Sequence, residues 1–168
     1  MWTRELESCT SVAFTIVPST ETQTVVARDG VNRVFFRKPG DCHSPGLKTC
    51  LDFDTLAVTS TFISREGVIH EADIEINAIS AEWLDLDRQD ATSTGFDLQN
   101  ALSHEIGHLL GFAHTCYAGG EPWPIDDAGQ QVPWCDSMPQ EIALTTMVAR
   151  IEPGDLERRT LSEDERRG

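Results

Sequence analysis

Basic residues are scarce in this sequence. Its 168 residues include 13 Lys and Arg against 28 Asp and Glu, so the formal net charge is −15. Polyphosphates and anionic lipid headgroups repel a chain of this charge. We therefore expect no nucleic acid and no membrane surface among its partners.

Long apolar runs are also missing. No stretch approaches the roughly 20 apolar residues that a membrane-spanning helix needs, and the first residues, Met1-Trp2-Thr3-Arg4-Glu5, lack the apolar core of a signal peptide. Apolar residues nevertheless make up 39% of the chain, which is enough for one hydrophobic core. We expect a soluble, single domain over residues 1–168.

Cysteine pairs of the Cys-x-x-Cys type are absent, although the chain has five cysteines. Five is many for a reduced cytosolic protein of this size, and their spacing favours disulfides that close local loops. We expect Cys42 to pair with Cys50 and Cys116 with Cys135. Cys9 is then a buried free thiol or the partner of a group outside this chain. The sequence alone does not fix this connectivity.

Residues 103–114 carry the pattern on which the function depends, Ser-His-Glu-Ile-Gly-His-Leu-Leu-Gly-Phe-Ala-His. His104 and His108 are four residues apart, so on a helix both imidazoles lie on one face and reach a single ion. Gly111 accepts the left-handed backbone that ends a helix, and the turned chain then brings His114 back as a third ligand. Three protein ligands leave one zinc position open for water, as in catalytic zinc sites.

Glu105 is the predicted general base of this site. It follows the first histidine directly, so it does not easily join the ligands, but it reaches a metal-bound water from the side. The alternative is a metal site that has kept its ligands and lost its activity. A structural zinc, however, has no use for this carboxylate.

The spacing His-Glu-x-x-His-x-x-Gly-x-x-His resembles, without a gap, the motif of the metzincins, which are zinc endopeptidases. Within that clan, Thr115 after the third histidine and the ending Leu161-Ser162-Glu163-Asp164 are similar to the matrixin branch, including its bacterial relatives. The resemblance implies an α+β catalytic domain with a twisted mixed β-sheet, an active-site zinc helix, a Met-turn and a C-terminal helix. It also implies that Met147 lies in the Met-turn beneath the zinc ligands, as a polarizable floor and not as a ligand.

The function that this resemblance implies is zinc-dependent hydrolysis of peptide bonds in extended protein substrates. A zinc-retaining but inactive protein-binding domain is the alternative. We expect one catalytic Zn²⁺, a protein or peptide substrate, a monomer and, from the cysteines and the family, secretion. The Pro-Arg-Cys-Gly segment of matrixin propeptides does not occur in the chain, so the control of activity stays open.

The hydrophobic pattern predicts the elements around the motif. Strands are expected at 12–17, 31–36, 56–63 and 68–77, and a short helical turn around Trp83 between 78 and 94. Asp97 is the expected N-cap of a zinc helix over about 97–110. Residues 117–145 have the composition of a long loop, either a wall of the substrate pocket or a surface excursion. Ser162 and Glu165 form a capping box for a final helix.

The resemblance also implies differences from the family at both ends and at the metal sites. Compared with matrixins, the first strand and most of the first helix are missing, with residues 2–8 as the last turns of that helix. We expect the chain to be a fragment, since its other end, Arg166-Arg167-Gly168, stops inside the expected final helix. A short natural N-terminus is the alternative. Vertebrate matrixins hold a second, structural zinc with three histidines, but only His43 and His70 remain here, so we expect that site to be absent.

Asp73, Glu75 and Asn77 share one face of the predicted strand over 68–77, because side chains alternate along a strand. Their three oxygen-bearing side chains would be calcium ligands, as acidic residues are in the corresponding strand of matrixins. The other interpretation is a solvated strand face without a ligand.

Overall fold

The computed structural model describes residues 12–18, 25–38, 51–52, 54–87, 94–120 and 122–162, and it has a small α+β fold with a mixed sheet and few helices. The strands are β1 (Val34–Arg37), β2 (Ala57–Ile63), β3 (Ile69–Asn77), β4 (Glu82–Leu84) and β5 (Gly95–Asp97). The helices are α1 (Leu98–Leu109) and the single turn α2 (Gln140–Ala143), with short 3-10 turns at Cys135–Ser137 and Glu157–Arg159. None of the described helices is long and apolar enough to cross a membrane.

The three-stranded sheet has the order β1-β3-β2, with β1 parallel and β2 antiparallel to β3. A tight turn joins β2 to β3, and Gly67 takes the positive φ of 85° that this turn requires. β4 and β5 form a separate parallel pair. The predicted strands at 56–63 and 68–77 are therefore confirmed, and β2 is an edge strand of the described sheet.

One face of the sheet packs against α1. Ile74 and Ile76 of β3 are fully buried on this side. Thr59 of β2 lies opposite Ile74, and its hydroxyl reaches Glu105 on the helix. The sheet therefore provides the surface on which the helix carrying the histidines rests.

The other face of β3 is polar but buried, which makes the prediction of a solvated face wrong. Asp73 accepts hydrogen bonds from the backbone N–H groups of Ala27 and Arg33 at 3.1 and 2.9 Å. Glu75 forms a buried ion pair with Arg37. Since these carboxylates already have protein donors, the structure gives no support to the prediction of calcium at Asp73, Glu75 and Asn77.

Asn77 has a similar structural role at the end of β3. Its Nδ2 donates to the carbonyl of Thr55 and to Ser80, both at 2.8 Å, and its Oδ1 accepts from the backbone of Ile79 at 3.0 Å. Both the donor and the acceptor atoms of this buried amide therefore hold the chain around it.

Helix α1 begins and ends where the sequence predicts. The Asp97 carboxylate accepts a hydrogen bond from the backbone N–H of Asn100 at 2.8 Å, so Asp97 is the N-cap. Gly111 has a φ of 98°, and its N–H and that of Phe112 bond back to the carbonyls of His108 and Gly107, both at 3.0 Å. This left-handed residue ends the helix and redirects the chain.

Two predictions about elements are wrong, and a third is right only in part. Residues 12–17 belong to neither sheet, and Ile16 is 91% exposed. The expected helical turn around Trp83 is instead strand β4, and the indole Nε1 donates to the carbonyl of Asn77 at 2.7 Å. The strand expected at 31–36 is confirmed in part, since β1 covers Val34–Arg37 and residues 31–33 are not in a strand. β-branched composition alone does not make a strand, because a strand also needs a partner at the right distance.

Several predictions lie outside the described residues. They are the Cys42–Cys50 disulfide, the state of Cys9, the partial helix over residues 2–8, and the final helix beyond Ser162.

Candidate metal centre

Three imidazoles converge in the structure. The Nε2 atoms of His104 and His108 are 3.1 Å apart, those of His104 and His114 are 3.1 Å apart, and those of His108 and His114 are 3.0 Å apart. His104 and His108 are one turn apart on α1, and the turn at Gly111 returns His114 to them. The helical spacing of His104 and His108 and the left-handed Gly111 therefore bring the three histidines together, as the motif predicts.

Two of the rings are oriented by backbone carbonyls. Nδ1 of His104 lies 2.9 Å from the carbonyl oxygen of Thr146, and Nδ1 of His108 lies 2.8 Å from that of Phe112. A carbonyl only accepts, so each Nδ1 carries the proton and donates it. The lone pair of each Nε2 then points to the centre of the group, as metal ligation requires.

Loss of water around the rings favours their neutral form, although only His104 is buried, while His108 is half-buried and His114 is exposed. This loss of water lowers the pKa of His104 to about 3 and that of His114 to about 4, and it also lowers the pKa of His108. Repulsion from His108 lowers the pKa of His114 further. Neutral imidazoles are the form that binds a metal, so the site needs no proton release at neutral pH.

The donor set fits a zinc ion. Zinc binds imidazole nitrogen at about 2.0–2.1 Å, so two nitrogens on a tetrahedral zinc stand about 3.3 Å apart. The observed separations of 3.0 to 3.1 Å need only a small expansion. Among the described residues, His104, His108 and His114 are the only group of three or more His, Cys, Asp or Glu side chains close enough to share an ion.

Glu105 lies in the same cleft and is buried, with 6% of its surface exposed. Burial raises the pKa of Glu105 to about 7, and a hydrogen bond from Thr59 opposes part of this rise. The Thr59 hydroxyl is 2.6 Å from Oε2 of the carboxylate. A carboxyl group with a pKa near 7 both accepts and returns a proton at neutral pH, as a general base and acid must.

Met147 lies in a turn that contacts the chain beside two of the histidines. The turn residue Thr146 supplies the carbonyl that orients His104, and the Met147 carbonyl accepts a hydrogen bond from Thr115, the residue after His114, at 3.0 Å. Met147 itself is 1% exposed. The turn therefore fixes the first and third histidines relative to each other.

The Cys116–Cys135 disulfide is present, as predicted, with the two Cα atoms 4.9 Å apart. It closes the loop that follows His114, and the rings of Tyr117, Trp123 and Trp134 pack in this loop with centroids 4.7 to 5.4 Å apart. The bond packs on Val148, the residue after Met147. The loop is thus an ordered brace beside the site.

The cleft in front of the histidines has a volume of about 790 Å³. Strand β2 forms one side, and residues 148–152 after the Met147 turn form another. None of the described residues of the loop, 117–120 and 122–145, lines this cleft, so of the two interpretations of that loop the surface excursion agrees better with the structure.

Two parts of the site are not predictable from the sequence alone: Thr59 and the cleft wall over residues 148–152. Thr59 is 46 residues from Glu105 in the chain, and no local pattern links the two. Residues 148–152 follow Met147 directly, and this position next to the expected Met-turn is the one feature of the sequence that points to them.

The fold and the site together define a class: a small α+β protein with a three-histidine centre compatible with zinc. No family model matches the chain, and neither the curated proteins nor the solved structures include a match to it. The resemblance to metzincins therefore depends on the motif residues themselves.

Proposed function

We propose that this protein is a zinc-dependent endopeptidase of the metzincin type, similar to the matrixins. The observation that carries the proposal is the meeting of three neutral Nε2 atoms 3.0 to 3.1 Å apart in a cleft that also contains the buried Glu105 carboxylate. A purely structural three-histidine site would gain nothing from a buried carboxylate, which costs free energy to desolvate.

His104, His108 and His114 would hold the zinc ion. When bound, the ion would supply a Lewis acid that lowers the pKa of a water molecule and polarises the scissile carbonyl. The carbonyls of Thr146 and Phe112 hold His104 and His108 in the ligating tautomer. Such outer partners raise the basicity of the ligands and fix their orientation.

Glu105 performs the proton transfers. Its carboxylate takes one proton from water as the water oxygen forms a bond to the carbonyl carbon of the peptide. The C–N bond then breaks, and Glu105 delivers the proton to the leaving nitrogen. The products are a carboxylic acid and an amine, and no nucleophilic side chain takes part.

The substrate binds in extended form along β2. In the described sheet β2 pairs only with β3, and five of its seven residues line the cleft: Ala57, Val58, Thr59, Thr61 and Ile63. An added peptide strand would pair through main-chain hydrogen bonds, which give affinity without demanding one sequence. Peptides and unfolded proteins are therefore the proposed substrates.

Secretion and a monomeric state are parts of the same proposal. The Cys116–Cys135 disulfide is consistent with an oxidising, extracellular environment.

The test uses Glu105→Gln, which removes the base and keeps the shape. We expect the wild-type protein to bind one zinc ion and to cleave casein or gelatin, and a chelator to stop cleavage. Glu105→Gln should lower kcat by about 10²- to 10⁴-fold and keep the zinc. Glu141→Gln, on the exposed side of α2, is the matched control and should keep full activity.

Cleavage that survives Glu105→Gln would remove this residue from its role. A wild-type protein that binds zinc and cuts nothing in a broad peptide library would instead support the inactive, protein-binding alternative.

A further inference from the structure

Thr59 stands out because it contacts the proposed base from a different element. It lies in the middle of β2, and its Oγ1 is 2.6 Å from Oε2 of Glu105 and 3.0 Å from the Glu105 backbone oxygen. A hydroxyl carries a single proton, and the shorter distance to Oε2 indicates that the proton goes to the carboxyl group and not to the backbone oxygen.

We infer that Thr59 is the positioning residue of Glu105: its hydroxyl holds one carboxylate oxygen so that the other faces the cleft. This inference rests on the proposed function. Among the described residues, Thr59 makes the only side-chain hydrogen bond to this carboxylate. Without it, the carboxylate would rotate between orientations, and only some of them would direct an oxygen to water.

The type of residue suits this task. Threonine is β-branched, so its χ1 angle is stiff and the strand fixes the direction of the hydroxyl. Thr59 also pairs with Ile74, a fully buried residue of the central strand, so its backbone has little freedom. The donor is therefore held by the sheet and the acceptor by the helix.

The position on β2 has a further consequence. The strand that is proposed to pair with the substrate also holds the base, so the scissile bond and Glu105 are placed by one element. A loss of the hydroxyl should then misplace the base and leave the main-chain groups for substrate pairing intact. Catalytic turnover should fall, and substrate affinity should not.

The experiment compares Thr59→Val, which removes the hydroxyl at nearly constant shape, with Thr59→Ser, which keeps it. We expect Thr59→Val to lower kcat by about 10- to 100-fold, the range for partners of this kind. KM and the zinc content should stay within about twofold of wild type, and Thr59→Ser should recover most of the loss. Should Thr59→Val fold poorly, Thr59→Ala carries the same comparison.

Thr94→Val is the matched control. The hydroxyl of Thr94 also donates to a glutamate carboxylate, Oε2 of Glu82, at 3.0 Å, but this pair is exposed. The same chemical change away from the cleft should leave kcat unchanged.

A second measurement needs no activity. In chelator, urea unfolding midpoints are compared for Thr59→Val, Glu105→Leu and the double variant. We expect the decrease of the midpoint in the double variant to be smaller than the sum of the decreases in the two single variants. Either substitution alone removes the hydrogen bond, so the second one cannot remove it again. For Thr94→Val with Glu82→Leu, the shifts should be close to additive.

The outcomes separate the two proposals. An active Thr59→Val enzyme with a normal kcat, or additive midpoints at Thr59 and Glu105, overturns the role of Thr59 alone. A loss of kcat that Thr59→Ser does not recover also overturns it. If the wild-type protein binds zinc and cleaves nothing, the proposed function fails and this inference fails with it.

Discussion

At the scale of single residues, the centre depends on imidazoles that stay neutral. His104 is 6% exposed, and its ring has exchanged water for packing and one carbonyl partner, Thr146. Three rings with nitrogens 3.0 to 3.1 Å apart cannot all be protonated, because like charges at this distance repel strongly. The fold therefore sets the protonation state of the three imidazoles before any ion binds.

This arrangement predicts a pH dependence in the metal-free protein. The pKa of His104 is lowered to about 3 from 6.5, so its contribution to stability is complete above pH 6.5 and is lost as the pH falls towards 3. Glu105 acts in the opposite direction: its pKa is raised from 4.5 to about 7, and its contribution is lost as the pH rises through 7. Between pH 5 and pH 7, the combined effect of the three histidines on the free energy of unfolding is larger than the opposite effect of Glu105.

We therefore expect the free energy of unfolding to decrease as the pH is lowered from 7 to 5. Urea denaturation in the presence of a chelator measures this. His104→Gln should reduce the slope by about 1 kcal/mol per pH unit, because one whole proton contributes about 1.4 kcal/mol per pH unit and the unfolded ring is only partly protonated over this range. An equal slope in His104→Gln and wild type would show that this ring does not titrate as described.

Some residues of the site are predictable from the sequence, and others are not. His104, His108 and His114 are predictable because their spacing follows helix geometry and a glycine turn, which are local rules. The Thr146 carbonyl on His104 and the Thr59 hydroxyl on Glu105 are 42 and 46 residues away in the chain. Only the packing of the sheet and the Met147 turn against the helix brings them there.

At the scale of elements, α1 is the part on which the centre is built, and its first turn is tied to the end of the chain. The Asp97 carboxylate caps the helix and also forms a two-point ion pair with Arg159, at 2.8 and 2.7 Å. Burial alone would raise the pKa of Asp97, but the hydrogen bonds from Arg159 and Asn100 lower it. The charged cap therefore survives in a buried position.

Asp97→Ala should cost about 2–4 kcal/mol of unfolding free energy, because it removes a helix cap and leaves Arg159 without its buried partner. Asp87 offers a matched control, since it pairs with the same arginine but its side chain is 68% exposed. Asp87→Ala should cost less than about 1 kcal/mol. Urea denaturation of both variants gives the comparison, and equal losses would contradict the role of the cap.

Element prediction succeeded where an element is specified by its own residues. Helix α1 has both a cap and a periodic apolar stripe, and β2 and β3 form a local hairpin. It failed at β4, whose three residues are a strand only because Gly95–Asp97 lies alongside. It also failed on the polar face of β3, where alternation alone did not reveal that the segment over 27–33 covers the acidic side chains.

At the scale of the whole molecule, a small apolar core is supplemented by other means. Buried polar groups such as the Arg37–Glu75 pair occupy one side of the sheet. Behind the histidines, the Cys116–Cys135 bond and Val148 form a separate cluster with Met138 and Ile142 next to it. The chain that carries His114 is therefore held by the Cys116–Cys135 bond, which begins two residues after this histidine.

The Cys116–Cys135 bond also stabilises the fold as a whole. The disulfide joins residues 19 apart in the chain, and a loop of about this length stabilises a fold by about 3 kcal/mol through the restricted unfolded state. Cys116→Ser with Cys135→Ser should lose about this amount in urea unfolding. It should also weaken zinc binding, because the chain after His114 is no longer tied to the Met147 turn through Val148.

Cys135→Ser alone is the informative companion, since it breaks the same bond while Cys116 stays in its buried position. Its loss of stability should equal that of the double variant. If zinc affinity, measured by competition with a chelator, is unchanged while stability falls, the bond braces the loop and not the centre. If neither quantity changes, the third histidine is held by the Gly111 turn and the Met147–Thr115 hydrogen bond alone, and the loop over 117–134 is an independent surface element.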